Sequence, residues 1–378
     1  MRVLHVIPSV SERSGGPATA IVPMCRALQA RGIEVLLVTT DAGLRERNGG
    51  PRVATVHDVP AILFPSQFGE SFKYSRPLAI WLNRNAGQFD LAHIHAVFNH
   101  ASIAGARACR KANVPYLIRP LGTLDPWSMK QKPLRKRLFW TLEGKSMLSG
   151  AAAVHYTSHA EKTATERGLS VNHGRVIPLG IDRCASLPTT SRSSDPYLLV
   201  LSRLHPKKGL EVLIDAFVSI DRSFDRWRLI IAGDGPADYV EQLKRRAASD
   251  RIQFAGWVEG ERKDAMLSGA SLLALPSYQE NFGLCVMEAL ARSVPVVVSP
   301  HVNLADEIAS VNAGWIAPVE KNALAATLAA ALNDEAELAK RGRAGKQLSE
   351  KYSWERVAND LVTLYTEITD GGAGLHRV

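Results

Sequence analysis

Two stretches of this 378-residue chain gather ionic side chains at spacings that can do chemistry. In the first, the apolar run Tyr197–Ser202 leads into Arg203, then Leu204-His205-Pro206-Lys207-Lys208, and Gly209 opens a helix. Arginine offers a planar fork of donors to phosphate oxygens, lysine a mobile point charge, and the free N–H groups of a helix start add to both. The set suits a diphosphate, although a solvated basic turn has the same composition. The second stretch is Ser277–Ser299. Glu280 precedes Asn281-Phe282-Gly283, and Glu288 follows inside a predicted helix whose Val286, Met287 and Leu290 face a core. Carboxylates accept hydrogen bonds from vicinal hydroxyls, and Gly283 lets the amides near Leu284 approach a ligand closely. Hydroxyls at both ends and phosphates between them describe a nucleotide sugar. A dipole-complementing Glu plus a solvated one would read the same way.

The first half holds weaker signals. Gly15-Gly16-Pro17 follows an apolar run and precedes a helix pattern, so its backbone can press on an anion, as an ordinary loop-to-helix junction also would. In Asp90–His95 the alternation places His93 and His95 on one face, with His95 at the strand end facing a ligand crevice. His93 lies deeper, as a satisfied core histidine.

The elements that position these residues alternate. Strands are predicted at Val3–Ile7, Val35–Val38, Leu91–His95, Tyr116–Ile118 and Ala152–Tyr156, against helices at Pro17–Arg31, Pro77–Gly87, Ala101–Ala112 and Leu134–Leu148. A second series runs through Tyr197–Ser202, Arg228–Ala232, Ile252–Phe254, Leu272–Leu275, Val294–Ser299 and Trp315–Ala317, with helices at Leu210–Ile220 and Tyr239–Ala248. Strand–helix alternation implies parallel sheets covered on both faces. The expectation is therefore α/β, with two doubly wound domains at 1–185 and 197–353. A Ser/Thr/Pro-rich linker joins them at 186–196. Ligands of such sheets bind outside the carboxyl ends of the strands, so two facing domains place a site in the cleft between them.

Composition narrows the class. With 46% hydrophobic and 22% charged residues the chain is an ordinary globular protein. Cys25, Cys109, Cys184 and Cys285 stand singly, with neither metal-pair nor disulfide spacing, which fits a reducing cytoplasm. No apolar stretch reaches membrane-span length. The net charge of +9 is unevenly placed: residues 1–185 hold 24 Lys+Arg against 12 Asp+Glu, and 186–378 hold 22 against 25. The first half is thus +12 and the second −3. Within the first, Lys130, Lys132, Arg135, Lys136 and Arg137 precede Leu138, Phe139 and Trp140, a pattern for anionic lipid headgroups or a solvated helix face.

Taken together, Gly15-Gly16-Pro17, His95, Ser202-Arg203…Lys207-Lys208-Gly209, Ala232-Gly233-Asp234-Gly235-Pro236 and Glu280-Asn281-Phe282-Gly283…Glu288 resemble the retaining glycosyltransferases of family 4 along essentially the whole chain. The resemblance implies a GT-B fold of two Rossmann-like domains facing across a cleft. It implies that Arg203 and Lys208 bind the donor diphosphate, Glu288 the ribose hydroxyls, and Glu280 with the amides of Phe282, Gly283 and Leu284 the transferred sugar. Gly16 would meet phosphate or acceptor, His95 the reacting face of the sugar, and Val258, in Phe254–Val258, the base. His95 and Glu280 are thereby the catalytic candidates. The final helix, from 354 onward, would cross back onto the first domain, making the boundary a hinge.

Arg119-Pro120-Leu121-Gly122-Thr123-Leu124-Asp125-Pro126-Trp127 is similar to an element of transferases that build extracellular polysaccharides, without that element's Arg directly before Gly122. Arg119, Asp125 and Trp127, with Arg135, Lys136 and Arg137, are therefore the acceptor or membrane candidates. The implied activity is hexose transfer, glucose from UDP-glucose as first choice, to a sugar or lipid-linked oligosaccharide in bacterial polysaccharide synthesis. The donor is a substrate, and no cofactor is expected. No Asp-X-Asp pair ends a strand, so the transfer is expected to run without metal, Arg203, Lys208 and helix amides supplying the charge. The enzyme is expected in the cytoplasm, docked peripherally on the inner membrane face.

A phosphorylase or epimerase of the same fold would share these donor residues. Nucleic-acid binding would need a motif that does not accompany the basic half. A nicotinamide dehydrogenase is excluded because Gly233-Asp234-Gly235 runs into Pro236 with no third glycine, and no Walker loop is present.

Overall fold

A computed structural model describes residues 1–11, 14–44, 49–69, 72–169, 171, 173–182 and 195–373. Most of the predicted linker, and Cys184, lie outside these residues. The chain divides into two compact units, Met1–Gly180 with Trp354–Val378, and Ile181–Ser353.

The first unit runs β1 (Arg2–Val6), α1 (Gly16–Gln29), β2 (Glu34–Thr40), β3 (Arg52–Val56), β4 (Val59–Phe64), α2 (Arg76–Asn85), β5 (Leu91–His95), α3 (His100–Ala112) and β6 (Tyr116–Arg119). It continues through α4 (Pro126–Met129), α5 (Pro133–Phe139), α6 (Lys145–Ser149), β7 (Ala153–Tyr156), α7 (His159–Gly168) and β8 (Gly174–Val176). The sheet order is β3-β4-β2-β1-β5-β6-β7-β8. Strands β1, β2, β5, β6 and β7 are near-continuous apolar runs, as burial on both faces demands.

Two features depart from the sequence expectation. The sheet is not wholly parallel, because β3 pairs antiparallel with β4. The hairpin turns at His57 and Asp58, both left-handed with φ of 47° and 69°. Such turns are usually announced by Asn-Gly or Asp-Gly, and His-Asp carries no such signal. The predicted helix Leu134–Leu148 forms, but as α5 and α6 joined through a π-helical turn at Trp140–Gly144 rather than as one regular α-helix. The rings of Trp140 and Phe139 lie so close over Gly144 that a Cβ there would be 2.7 Å from Trp140.

The second unit runs β9 (Tyr197–Leu201), α8 (Leu210–Ile220), β10 (Arg228–Ala232), α9 (Ala237–Arg246), β11 (Ile252–Gly256), α10 (Gly260–Gly269), β12 (Leu272–Leu275) and α11 (Leu284–Ala291). It closes with β13 (Val296–Val298), α12 (Ala305–Ser310), β14 (Gly314–Ile316), α13 (Lys321–Leu332) and α14 (Glu335–Ser349). Its sheet, β11-β10-β9-β12-β13-β14, is parallel throughout. Helix α15 (Trp354–Ala373) then belongs to the first unit. There Arg31 bonds Asn359 at 2.6 Å and Glu355 at 3.1 Å, and Tyr365 is fully buried.

The parallel strands of each sheet reverse their chain order once, between β1 and β5 and between β9 and β12. At such a reversal the connections leave on opposite faces and open a crevice at the carboxyl ends. The four strand ends concerned lead into Gly15-Gly16, His95, Arg203 and Glu280.

In the second unit the β9 exit is held by glycine contacts. Gly233, at φ 146°, and Gly235 pack so tightly that Cβ atoms would run into the carbonyl oxygens of Ser202 and Leu204. Gly256, at φ 69°, has open space in the same direction. Gly233→Ala is expected to cost about 3 kcal/mol, through backbone strain plus overpacking. Gly256→Ala should cost about 1 kcal/mol, from the left-handed conformation alone. Denaturant unfolding of both variants checks this; equal losses would contradict the close-approach account.

Candidate functional site

In the second unit, Pro206–Lys208 form a short 3-10 turn capped by His205, whose Nδ1 accepts from the Lys207 amide. Gly209 follows at φ 65°, against the Pro276 carbonyl, and this contact sets the β9 exit beside the β12 exit. Arg203 is exposed, whereas Lys208 forms an ion pair with Glu280. Glu280 is held by its main chain: its N–H donates to His301 and its carbonyl accepts from Asn303, both at 3.0 Å. Burial alone would raise the Glu280 carboxyl, but Lys208, with Lys207 and Arg203 behind it, brings it below the ordinary value. The carboxylate is therefore ionised at neutral pH.

Gly283 caps α11 in the left-handed conformation at φ 73°, which turns the chain so that the helix start lies beside Glu280. Phe282 is buried, edge-on to Tyr352 at 5.8 Å, and Val286, Met287 and Leu290 are buried as expected. Glu288, about one turn into α11, pairs with Lys263 of α10 at 2.6 Å. Val258, in the loop before α10, is buried. Arg203, Lys208, Glu280, Phe282, Gly283 and Leu284 thus gather at one sheet reversal, with Glu288 further along α11.

In the first unit, Gly16 is exposed at the start of α1, behind Gly15 at φ 93°. His95 ends β5 and is 1% exposed. Its Nε2 lies 3.1 Å from His5 Nδ1, and its Nδ1 lies 3.5 Å from the Arg119 guanidinium. His93, satisfied in the core as expected, continues a second row. His155 Nε2 donates to the Ile177 carbonyl at 2.8 Å, so its Nδ1 accepts from His93 at 3.1 Å, and His93 Nδ1 accepts from the Tyr365 hydroxyl at 2.7 Å. The carbonyl can only accept, and this fixes each neutral tautomer in turn. Burial, then Arg119, pushes His5 and His155 down to about 3; His93 and His95 are also held well below the usual imidazole range.

His5, His93 and His95 each offer a nitrogen within 4.8 Å of the others, the type of donor that holds transition metals. Arg119, itself pushed down to about 10 by burial, stands beside them as a fixed cation, and their nitrogens are already engaged, His5 with His95 and His93 with His155 and Tyr365. The group reads as two neutral hydrogen-bonded rows. Sequence reading missed His5, His155 and Tyr365 as their members. The signal was the strand register, which sets His5 beside His93 and His95 beside Arg119.

The structure scatters the acceptor candidates. Arg119 is 1% exposed and enclosed between His95 and Met24. Asp125 caps α4 by accepting from the Trp127 amide at 2.8 Å. The Lys136 ammonium turns inward to Ser128 and lies 4.8 Å over the Phe98 ring. Arg135 and Arg137 are exposed. So are Leu134, Leu138 and Leu142, at 81%, 62% and 66%, at a spacing of four.

Residues 15–180 match the family described as glycosyl transferase 4-like domain, and residues 188–348 the glycosyl transferases group 1 family. An uncharacterized glycosyltransferase of Methanocaldococcus jannaschii is 32% identical over 181 residues, 46% of this chain and 45% of that one. The alignments thus span a little under half the length of curated relatives such as this one. Sucrose-phosphate synthase from Thermosynechococcus elongatus superposes with a TM-score of 0.81 at 21% identity, covering 98% of this chain and 100% of that one. Anabaena HepE in complex with UDP-glucose superposes at 0.77 and 21% identity, covering 97% and 100%. These likenesses show the GT-B fold.

The histidine rows carry a pH signature. A histidine whose folded pKa lies below its unfolded value binds fewer protons in the native state, so its stability contribution is full above about 6.5 and is lost as pH falls from there towards 3. His5 and His155 should each cost about 1 kcal/mol per pH unit in that window. Denaturant unfolding at pH 7.5 and 5.5 should show the loss; equal stability at both would contradict neutral, buried rows.

Proposed function

The chain belongs to family 4 of the GT-B glycosyltransferases, and from that premise we propose that it moves a hexose from a nucleoside-diphosphate sugar to a sugar or lipid-linked sugar acceptor in bacterial polysaccharide synthesis. The observation that carries this reading is the meeting of Arg203, Lys208, Glu280 and the Gly283 end of α11 at the β9/β12 reversal. UDP-glucose is the donor of first choice, supported by the HepE complex.

In this reading the bond from the anomeric carbon to the diphosphate breaks, and negative charge gathers on the leaving oxygen. Arg203 and Lys208 offset it with fixed charges, and the amides of Phe282, Gly283 and Leu284 add donors. Glu280, held ionised by its ion pair, accepts from the sugar hydroxyls. Glu288 accepts from the ribose, the Val258 main chain meets the base, and Gly16 meets phosphate or acceptor. His95 has both nitrogens committed to Arg119 and His5, so it acts as the fixed end of a row against the sugar rather than as a free base. No carboxylate among the described residues is assigned as a separate nucleophile. We read the transfer as retaining and metal-independent, the leaving phosphate taking the acceptor proton on the same face. A nucleotide-sugar phosphorylase or epimerase is the alternative, and hexose-dependent nucleotide release only when acceptor is added separates transfer from it.

The acceptor side extends to an anionic membrane surface. Arg135 and Arg137 flank the exposed Leu134-Leu138-Leu142 stripe, a pairing of cations with insertable aliphatics. No helix among the described residues is long and apolar enough to cross a membrane.

Glu288→Ala should weaken donor binding by about 1–3 kcal/mol, the cost of unsatisfied hydroxyl contacts. Calorimetry against UDP, GDP and ADP sugars reads both the base and this loss; an unchanged constant would remove the ribose role. Arg135→Glu with Arg137→Glu should lower binding to anionic vesicles by about tenfold or more, near 1 kcal/mol per cation removed, and salt should do the same. Salt-insensitive, unchanged binding would remove the membrane from the reading.

A further inference from the structure

Lys263 was not among the residues that sequence patterns single out, yet it pairs with the carboxylate assigned to the ribose. Its Nζ lies 2.6 Å from Glu288 Oε1, and both side chains are about one-fifth to one-quarter exposed, at the edge of solvent. The pair is fixed from both helices. Asp264, the next residue of α10, accepts from Arg292 at 2.7 Å, and the same guanidinium donates to the Glu288 carbonyl at 2.9 Å. Arg292 thereby clamps α10 to the end of α11, setting Lys263 opposite Glu288. Lys263 stands one turn into a helix that starts directly after Val258, where the base is expected.

We propose that Lys263 is a positioning residue of the nucleoside subsite, resting on the donor reading above: it holds Glu288 through Oε1 and leaves Oε2 to accept a ribose hydroxyl. The arrangement parallels Lys208 on Glu280, so each hydroxyl-binding carboxylate carries its own lysine. The lysine limits the rotamers of Glu288 before the nucleotide arrives, and reduces the ordering that binding must supply. It also offsets a carboxylate charge that would otherwise repel a diphosphate.

The test is calorimetry on the full chain with UDP, or with GDP or ADP if one of these binds better, and with the matching 2′-deoxynucleotide. Lys263→Met keeps the aliphatic stem and removes the charge; Lys263→Arg restores it. Lys263→Met should weaken the ribonucleotide about five- to tenfold, the scale of one charge-assisted contact, and the deoxynucleotide less than twofold. Lys263→Arg should recover to within about threefold, and in a Glu288→Gln background Lys263→Met should add little, as coupled residues do. Thermal melting of each variant identifies any that fails to fold; Lys263→Gln then takes its place. Equal weakening of both nucleotides, or none, with normal binding to the unaltered protein, overturns the positioning role alone. Failure of every nucleotide to bind the unaltered protein overturns the donor reading and this assignment together.

Discussion

A parallel sheet opens a crevice where its chain order reverses, and the parallel strands of each unit have one reversal. The rest of the arrangement follows from it. In the second unit, β9 and β12 leave side by side, so a basic turn and an acidic loop distant in sequence become neighbours. Gly209 against Pro276, Gly233 against Ser202 and Gly235 against Leu204 are the close approaches that seat those exits. Residues with side chains would push the cation-bearing turn away from the carboxylate.

The two reversals have opposite electrostatics. In the second unit the charges are present and paired, Lys208 on Glu280 and Lys263 on Glu288, inside a half whose formal charge is −3. In the first, burial strips charge away: imidazoles at the ends of β1 and β5 are neutral, and Arg119 is the cation among them. A ligand with concentrated negative charge therefore suits the second unit. The +12 of residues 1–185 lies mainly elsewhere, including the exposed Arg135 and Arg137.

Much of this was legible in sequence because alternating apolar runs report parallel strands directly. Leu91–His95, Arg228–Ala232 and Leu272–Leu275 coincide with their strands. The cluster of ionic residues at the β9/β12 reversal was legible for a related reason: its residues sit at strand exits and a helix start, which local patterns mark. What escaped depends on tertiary contact. The β3–β4 hairpin turns on His57-Asp58, which carries no glycine signal. The Leu134, Leu138 and Leu142 stripe has helical spacing, but spacing does not say which side a neighbour covers. The burial of Arg119 and the inward turn of Lys136 depend on His95 and Phe98, which no window around either residue contains. Lys263 was invisible because its partner lies 25 residues away on another helix.

The central claim is that a nucleoside diphosphate binds at the β9/β12 reversal. Amide hydrogen exchange on the full chain, with and without saturating UDP, GDP or ADP, tests it most directly. The account predicts slowed exchange concentrated in 203–209, 256–263 and 280–288 with whichever nucleotide binds. Protection centred on other segments, or none with any of the three, would contradict it.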